Sequence, residues 1–269
     1  MIDRRIGFIG AGQMARALAR GFVQAGLVAP TSLVAYDPHA DTVRQLASDI
    51  SGLAVAADNA AVALQADILI IAVKPQHVPA ALAELEAAIT PQHLVMSVAA
   101  GVTLRALSAG LGTERIVRVM PNTPALVGRG AAAFSLGAAV TPQDAKLVAE
   151  LMSAVGMAIP LDERLLDAVT GLSGSGPAFV YLMIEALSDA GVRVGLPRAS
   201  ALALAAQTVR GAAEMVICTG EHPAVLKDKV ASPAGTTIAG LSVLEQQGVR
   251  GALISAVVAA TERSRELGQ

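Results

Sequence analysis

The residues that announce chemistry stand near the start of the chain. Gly10, Ala11, Gly12, Gln13, Met14 and Ala15 follow a short apolar run, Ile6-Gly7-Phe8-Ile9, and lead at once into a helical pattern. A strand that turns tightly into a helix aims free backbone N–H groups, and the positive end of the helix dipole, at an anion. In this G-x-G-x-x-A pattern Gly10 allows the turn and Gly12 lets the backbone approach a pyrophosphate. Ala15 is small enough for the helix to pack on the strand. The chemistry so indicated is dinucleotide binding, and the flanking strand and helix give the glycines that meaning.

Other residues fall where such a ligand would extend. Asp37 ends the second apolar run, 25 residues after Gly12 (37 − 12 = 25). An acid near this spacing accepts hydrogen bonds from the adenosine ribose and favours NAD over NADP. Asp37 also precedes Pro38 as a helix cap would, and the two roles are compatible. Val73-Lys74-Pro75 follows a third run, which places Lys74 either at the ligand crevice or in a solvated turn. Ser97 to Gly101 and Met120 to Pro124 end two further runs. Their small residues leave room for a nicotinamide ring and a substrate, with Asn122 and Thr123 as polar contacts or as ordinary turn residues. Two later segments open helices, Thr170-Gly171-Leu172-Ser173-Gly174-Ser175-Gly176-Pro177 and Ser232-Pro233-Ala234-Gly235-Thr236-Thr237. Hydroxyls and successive N–H groups at a helix start suit a small carboxylate, and equally suit plain capping.

The elements that hold these residues alternate. Strands are expected at 6–9, 32–36, near 55, and at 68–73, 94–99, 116–120 and 131–136. Helices are expected at 13–25, 39–47, 59–64, 76–89 and 104–111. The run 68–73 is apolar and β-branched, as in a strand buried on both faces. This alternation predicts a Rossmann-like, doubly wound parallel α/β sheet. From Glu163 onward the period is helical. We therefore expect a dinucleotide-binding domain over 1–160 and an all-helical domain over 161–269.

Composition narrows the function classes. The chain has 269 residues, of which 54% are hydrophobic, much of that alanine, which suits closely packed helices and buried subunit contacts. The longer uncharged stretches, 87–104 and 168–184, are broken by Pro, Gly, Ser, Gln or His, so no membrane span is expected from them. The N-terminus has no long apolar segment after its basic residues. One cysteine, Cys218, in an apolar helical context, reads as a packing residue and fits a reducing compartment, hence the cytoplasm. A net charge of −2, with two Tyr, four Phe and no Trp, offers no stacking platform for nucleic acid. His39, His77, His93 and His222 lack metal-ligand spacing and read as surface or capping residues, so no metal is expected.

Taken together the segments resemble the Δ1-pyrroline-5-carboxylate reductase family. The resemblance rests on Gly7 to Met14, Ala72-Val73-Lys74-Pro75, Ala99-Ala100-Gly101-Val102 and Met120 to Pro124. It continues through Gly171 to Ala178, Glu221-His222-Pro223, Leu226-Lys227-Asp228, and Ser232 to Ile238. It implies a Rossmann domain, a helical dimerisation domain, and an active site shared between dimer partners, with dimers often assembling into decamers. It implies that pyrroline-5-carboxylate is reduced to L-proline by NADPH, the last step of proline biosynthesis. Gly10, Ala11, Gly12, Gln13 and Met14 would meet the pyrophosphate, and Asn59, Ala72, Val73, Lys74, Pro75 and Ala99 would line the rest of the coenzyme site. Thr237 would bond the ring nitrogen, while Gly235 and Thr236 present N–H groups to the carboxylate beside Ser232. Glu163 is similar to a family position near the substrate. Two departures stand out. Asp37 replaces the Ser, Thr, Asn or Arg that usually receives the coenzyme phosphate, and its charge repels a 2′-phosphate, which makes NADH a contender. Lys229, placed where the family contacts the coenzyme, would offset that repulsion. Ala234 stands where the family usually has Gly. The rivals are another cyclic-imine reductase, a β-hydroxyacid dehydrogenase and a non-catalytic dinucleotide sensor. The absence of Lys between 171 and 190 counts against the dehydrogenase.

Overall fold

The computed structural model describes residues 1–268. The strands are β1 (Ile6–Ile9), β2 (Leu33–Tyr36), β3 (Ala54–Val55), β4 (Ile68–Ile71), β5 (Leu94–Ser97), β6 (Ile116–Met120), β7 (Gly130–Leu136) and β8 (Gly156–Pro160). Among them run α1 (Gln13–Gln24), α2 (Ala40–Asp49), α3 (Asn59–Ala63), α4 (Val78–Leu85), α5 (Leu104–Leu111) and α6 (Pro142–Ser153). Then follow α7 (Leu166–Val169), α8 (Gly176–Arg193), α9 (Arg198–Thr219), α10 (Pro223–Val230), α11 (Thr236–Gln246) and α12 (Val249–Leu267).

The strands form one sheet in the order β3-β2-β1-β4-β5-β6-β7-β8. The order reverses beside β1, the switch point of a doubly wound fold. β1, β4 and β5 are buried along their whole length, as their apolar runs predict. Successive side chains feed two cores. Phe8, Ile68 and Ile70 pack with Leu18, Phe22 and Leu46 on one face. Ile9, Leu69 and Ile71 pack with Val62, Leu85 and Leu107 on the other. Gly7 lets α3 come close, since a Cβ there would lie 2.5 Å from Val62 Cγ1. The sheet is parallel except at β6–β7, which is antiparallel. The link after β6 is a 3-10 turn, Thr123–Val127, closed by Gly128 at φ +68°. It is too short for the crossover of about a dozen residues that a parallel return requires.

Capping fixes the helix starts. Thr103 Oγ1 accepts from Ala106 N at 3.2 Å, and Gly112 ends α5 in the left-handed region. Thr141 and Asp144 form a capping box on α6. Asp144 is buried and also accepts from Arg115 Nε and Nη2 at 2.9 and 2.7 Å. The bonds from Arg115 above all, then those from Thr141, outweigh burial and hold its carboxyl down to about 2 from the usual 3.8. A depressed carboxyl stabilises the fold above its unfolded pKa and loses that effect as pH falls through its folded one. We expect about 2 kcal/mol from this group, intact above about pH 4 and fading between pH 4 and 2. Urea midpoints of the native chain and Asp144→Asn should converge over that interval, and a gap independent of pH would refute the account.

By its contacts the chain divides into two compact units, residues 1–175 with the segment from 259 on, and residues 176–258. The boundary expected at 160/161 differs from this division, because residues 161–175 and the end of α12 go with the sheet. In the helical unit α8 packs on α9. Gly191 permits the approach, since a Cβ there would lie 2.9 Å from Ala201 Cβ. Many large apolar side chains of this unit are exposed, among them Leu182, Leu202, Ile217 and Ile254. Among the described residues one helix, α9, is long and apolar enough to cross a membrane by length and composition. It was not among the stretches weighed from sequence.

The Thr170–Gly174 segment is a π-helix rather than the expected turn, closed by Ser175 N to Thr170 O at 2.8 Å. The hydroxyls of Thr170 and Ser173 donate to the carbonyls of Leu166 and Val169, one turn back, and so carry the helix through the glycines. Helix therefore runs through this segment, which offers no free N-terminus for a carboxylate.

Candidate active site

The carboxyl ends of β1, β2 and β4 meet at one edge of the sheet. Gly10 follows β1 at φ +92°, and its N–H donates to Tyr36 O at 2.8 Å. A Cβ on Gly10 would lie 2.8 Å from Val73 Cγ1 and 3.1 Å from the backbone of Ala72 and Val73. The glycine turn is thus packed directly on the segment that follows β4. Gly12 is different. Its φ is −68°, open to any residue, and a Cβ there would meet nothing within 4 Å. The fold itself makes no demand for glycine at this position. Bare backbone at the N-cap of α1, with space in front of it, is what a pyrophosphate group requires. The residues present therefore fit a dinucleotide.

Asp37 is half-buried at the end of β2. Its Oδ2 accepts from Ala11 N and its Oδ1 from His39 N, both at 2.9 Å. α2 begins at Ala40 with His39 as N-cap, so Asp37 does not cap that helix as one of its two readings supposed. It braces the glycine turn, with further lone pairs left to accept ribose hydroxyls. Lys74 is exposed beside this edge and, among the described residues, forms no ion pair, so its charge is free for a phosphate. Asn59 opens α3 and is buried, with Nδ2 donating to Glu84 Oε2 at 2.8 Å. Ala99 is buried just past β5, its N–H on Ser97 Oγ. A cleft of about 570 Å³ in the same unit is lined by Pro75, Gln76, Gly101, Thr170, Ser264 and Leu267, among others.

Ser232, Gly235, Thr236, Thr237 and Lys229 lie in the helical unit. Ser232 to Gly235 form a turn, Gly235 N donating to Ser232 O at 3.1 Å. Its third residue is Ala234 at φ +56°, the one non-glycine with positive φ among the described residues. A turn with Pro second and positive φ third normally takes glycine there, so Ala234 carries backbone strain. A Cβ on Gly235 would lie 2.2 Å from Ser232 Oγ, so the serine hydroxyl folds over a position that glycine leaves bare. α11 starts at Thr236 with Gly235 as N-cap. The N–H of Gly235 is engaged in the turn, and those of Thr236 and Thr237 begin the first helical turn, unclaimed by a helical carbonyl. Lys229 Nζ is held by both Glu221 oxygens at 2.6 Å.

Glu163 accepts from Leu104 N at 2.6 Å and from Arg118 Nη1 at 3.2 Å. Arg118, on β6, also faces Asp167 at 3.6 Å, and Asp167 accepts from Ser264 Oγ at 2.8 Å. Neither Arg118 nor Glu84 was singled out from sequence. A lone cation inside Ile116-Val117-Arg118-Val119-Met120 was a legible signal, since such a charge needs a buried partner.

Of the remaining residues read from the sequence, His93 and Cys218 depart from their readings, while His39 and His222 keep theirs. Asn122 bonds Ser173 O and Ala131 N, so both ends of its amide serve the fold rather than a ligand. His93 is buried, its ring bridging Thr90 and Ala63 O, while His39 and His222 stand at helix N-caps. Cys218 is exposed beside Glu214, which raises its thiol pKa by hydrogen bonding and by charge. Among the described residues no group of acids, histidines or cysteines could hold a metal.

A doubly wound sheet whose switch-point edge carries a bare glycine turn, a half-buried acid and an exposed lysine has the form of a dinucleotide-binding fold. A family model described as NADP oxidoreductase, coenzyme F420-dependent, matches residues 5–101, and one described as pyrroline-5-carboxylate reductase dimerisation matches residues 163–267. The pyrroline-5-carboxylate reductase of Methanosarcina acetivorans is 49% identical over the whole of both chains. That of Arabidopsis thaliana is 49% identical over 98% of this chain and 96% of its own. The structure of a Plasmodium falciparum pyrroline carboxylate reductase with NADP bound superposes with TM-score 0.90 at 35% identity, covering all of both chains. The chain belongs to the pyrroline-5-carboxylate reductase family.

Proposed function

We propose that this chain reduces the C=N bond of L-1-pyrroline-5-carboxylate to give L-proline. The observation that carries the reading is Gly12, which the fold leaves free and a dinucleotide would use. When bound, the reduced nicotinamide supplies a hydride from its C4. The imine carbon of the substrate, across the ring nitrogen from the carbon that bears the carboxylate, accepts that hydride while the protonated ring nitrogen becomes an amine. A protonated imine is already a good electrophile, so the protein chiefly orients and neutralises. The Thr237 hydroxyl holds the ring nitrogen in its protonated form. The first-turn N–H groups at Thr236 and Thr237 receive the carboxylate beside Ser232. Glu163, its Oε1 held by Arg118, is a further substrate contact that the family resemblance implies.

NADH is the preferred donor in this reading, because a carboxylate fixed by two backbone N–H groups cannot turn away from a 2′-phosphate. The engagement of Lys229 with Glu221 supports the same preference. We expect kcat/KM to be higher with NADH than with NADPH, and Asp37→Ser to lower that ratio about tenfold or more. Loss of reduced-nicotinamide absorbance with pyrroline-5-carboxylate and each coenzyme measures both. No turnover with either, in protein that binds one, would overturn the reductase in favour of a dinucleotide sensor.

The exposed apolar helices of residues 176–258 support a homodimer, with assembly to a decamer as its extension. The single cysteine supports a reducing compartment, and we place the reaction in the cytoplasm.

A further inference from the structure

We infer that Glu84 is a positioning residue for coenzyme choice, acting through Asn59. The inference rests on the dinucleotide reading above. β3 pairs with β2 up to Ala56 N, which donates to Ala35 O, and the chain then leaves the sheet at the edge where β2 delivers Asp37. Asn59 lies on that edge, at the start of α3. Its amide has two chemically different ends. Glu84, an ionised carboxylate, only accepts, so the end that faces it at 2.8 Å must be the NH₂. The amide oxygen is thereby turned away from Glu84.

Among the described residues no buried side-chain oxygen or nitrogen lacks a hydrogen bond. Asn59 Oδ1 makes no bond within the described protein, so it is not sealed in the interior. It is an unpartnered acceptor at the start of α3, which packs beside β2, the strand that delivers Asp37, itself an acceptor. Two acceptors favour hydroxyl donors such as those of a ribose and disfavour a phosphate ester, which brings only acceptors at neutral pH. Without Glu84 the amide is free to rotate by half a turn and offer its NH₂ to a phosphate. Glu84 lies on the exposed face of α4, so its removal leaves the core untouched.

The test is the dissociation constant of NADH and of NADPH, by fluorescence of the bound coenzyme, on the purified full chain. Glu84→Ala should weaken NADH about fivefold, the scale of one hydrogen bond, and leave NADPH unchanged or tighter. Its melting temperature should stay close to that of the native chain. Glu84→Gln, whose amide oxygen still accepts from Asn59, should restore NADH binding to within about twofold. In an Asn59→Ala background, Glu84→Ala should change nothing further. An unchanged NADH constant in Glu84→Ala would overturn the proposal, as would an equal loss with and without Asn59. These constants require no turnover, so failure to reduce pyrroline-5-carboxylate would strike the catalytic reading alone. Failure of the native chain to bind either coenzyme would strike the dinucleotide reading itself.

Discussion

Replacing Arg118 with methionine is expected to destabilise the sheet unit by about 2 kcal/mol, between the values for exposed and fully buried ion pairs, although the side-chain volume is nearly kept. Arg118 is 5% exposed on β6. Its guanidinium stands 3.2 Å from Glu163 and 3.6 Å from Asp167, on the segment that follows β8. Without it, two partly exposed carboxylates are left facing an apolar side chain with no cation between them. Removing one partner from an ionic group costs more than the group contributes net to the extent that the charges left behind remain desolvated, and here that extent is partial. The damage should spread, since Glu163 also holds Leu104 N at the start of α5, and Asp167 holds Ser264 on α12. Arg118→Lys should be intermediate, because one ammonium cannot fork between two carboxylates as a guanidinium does. Denaturant midpoints decide the matter. An unchanged midpoint in Arg118→Met would show that the network contributes nothing to the fold.

Thr237→Ala should lower kcat/KM by about 10–100-fold while the coenzyme dissociation constant stays within about twofold. The hydroxyl is the one proposed contact to the nitrogen whose charge is discharged in the reaction. A hydrogen bond to a charged group is about twice as strong as a neutral one, and removing it affects the reacting atoms rather than the nucleotide. Thr237 is half-buried in the first turn of α11, fixed there by the turn at Ser232 to Gly235. Thr237→Ser, which keeps the hydroxyl, should recover most of the loss. Equal kcat/KM in native chain and Thr237→Ala would remove the residue from the mechanism.

Much of this could be read from residues alone, and the reasons differ by element. β1, β4 and β6 are apolar and β-branched runs, a pattern that burial on both faces imposes, and β6 and α5 fall at the expected residues. The direction of β7 was not legible, because it depends on the length of a loop rather than on the strand. α6 and β8 were passed over. β8 is short, half-exposed and ends in Pro160, so neither alternation nor a continuous run marks it. The glycines of 171–176 suggested a turn, yet side-chain hydroxyls carried the helix through them. At the site, Gly10, Gly12 and Asp37 were legible because their roles follow from backbone shape and charge. Glu84 was not singled out, since it acts on a partner remote in the chain and only packing brings the pair together, whereas Arg118 was marked by its charge inside an apolar run and the pairing with its acidic partners was not.

The contrast between the glycines of the first turn bears on how such a site would decay. Gly10 answers to two masters and Gly7 to the fold alone, because a side chain at either would collide with the protein itself. Gly12 answers to one. A lineage of this chain that abandoned its nucleotide would still have to keep Gly7 and Gly10 in order to fold, while mutation could erode Gly12 without penalty. Its retention is therefore a signature of continued use, and its loss in a descendant would be the first visible mark of a fold surviving its chemistry.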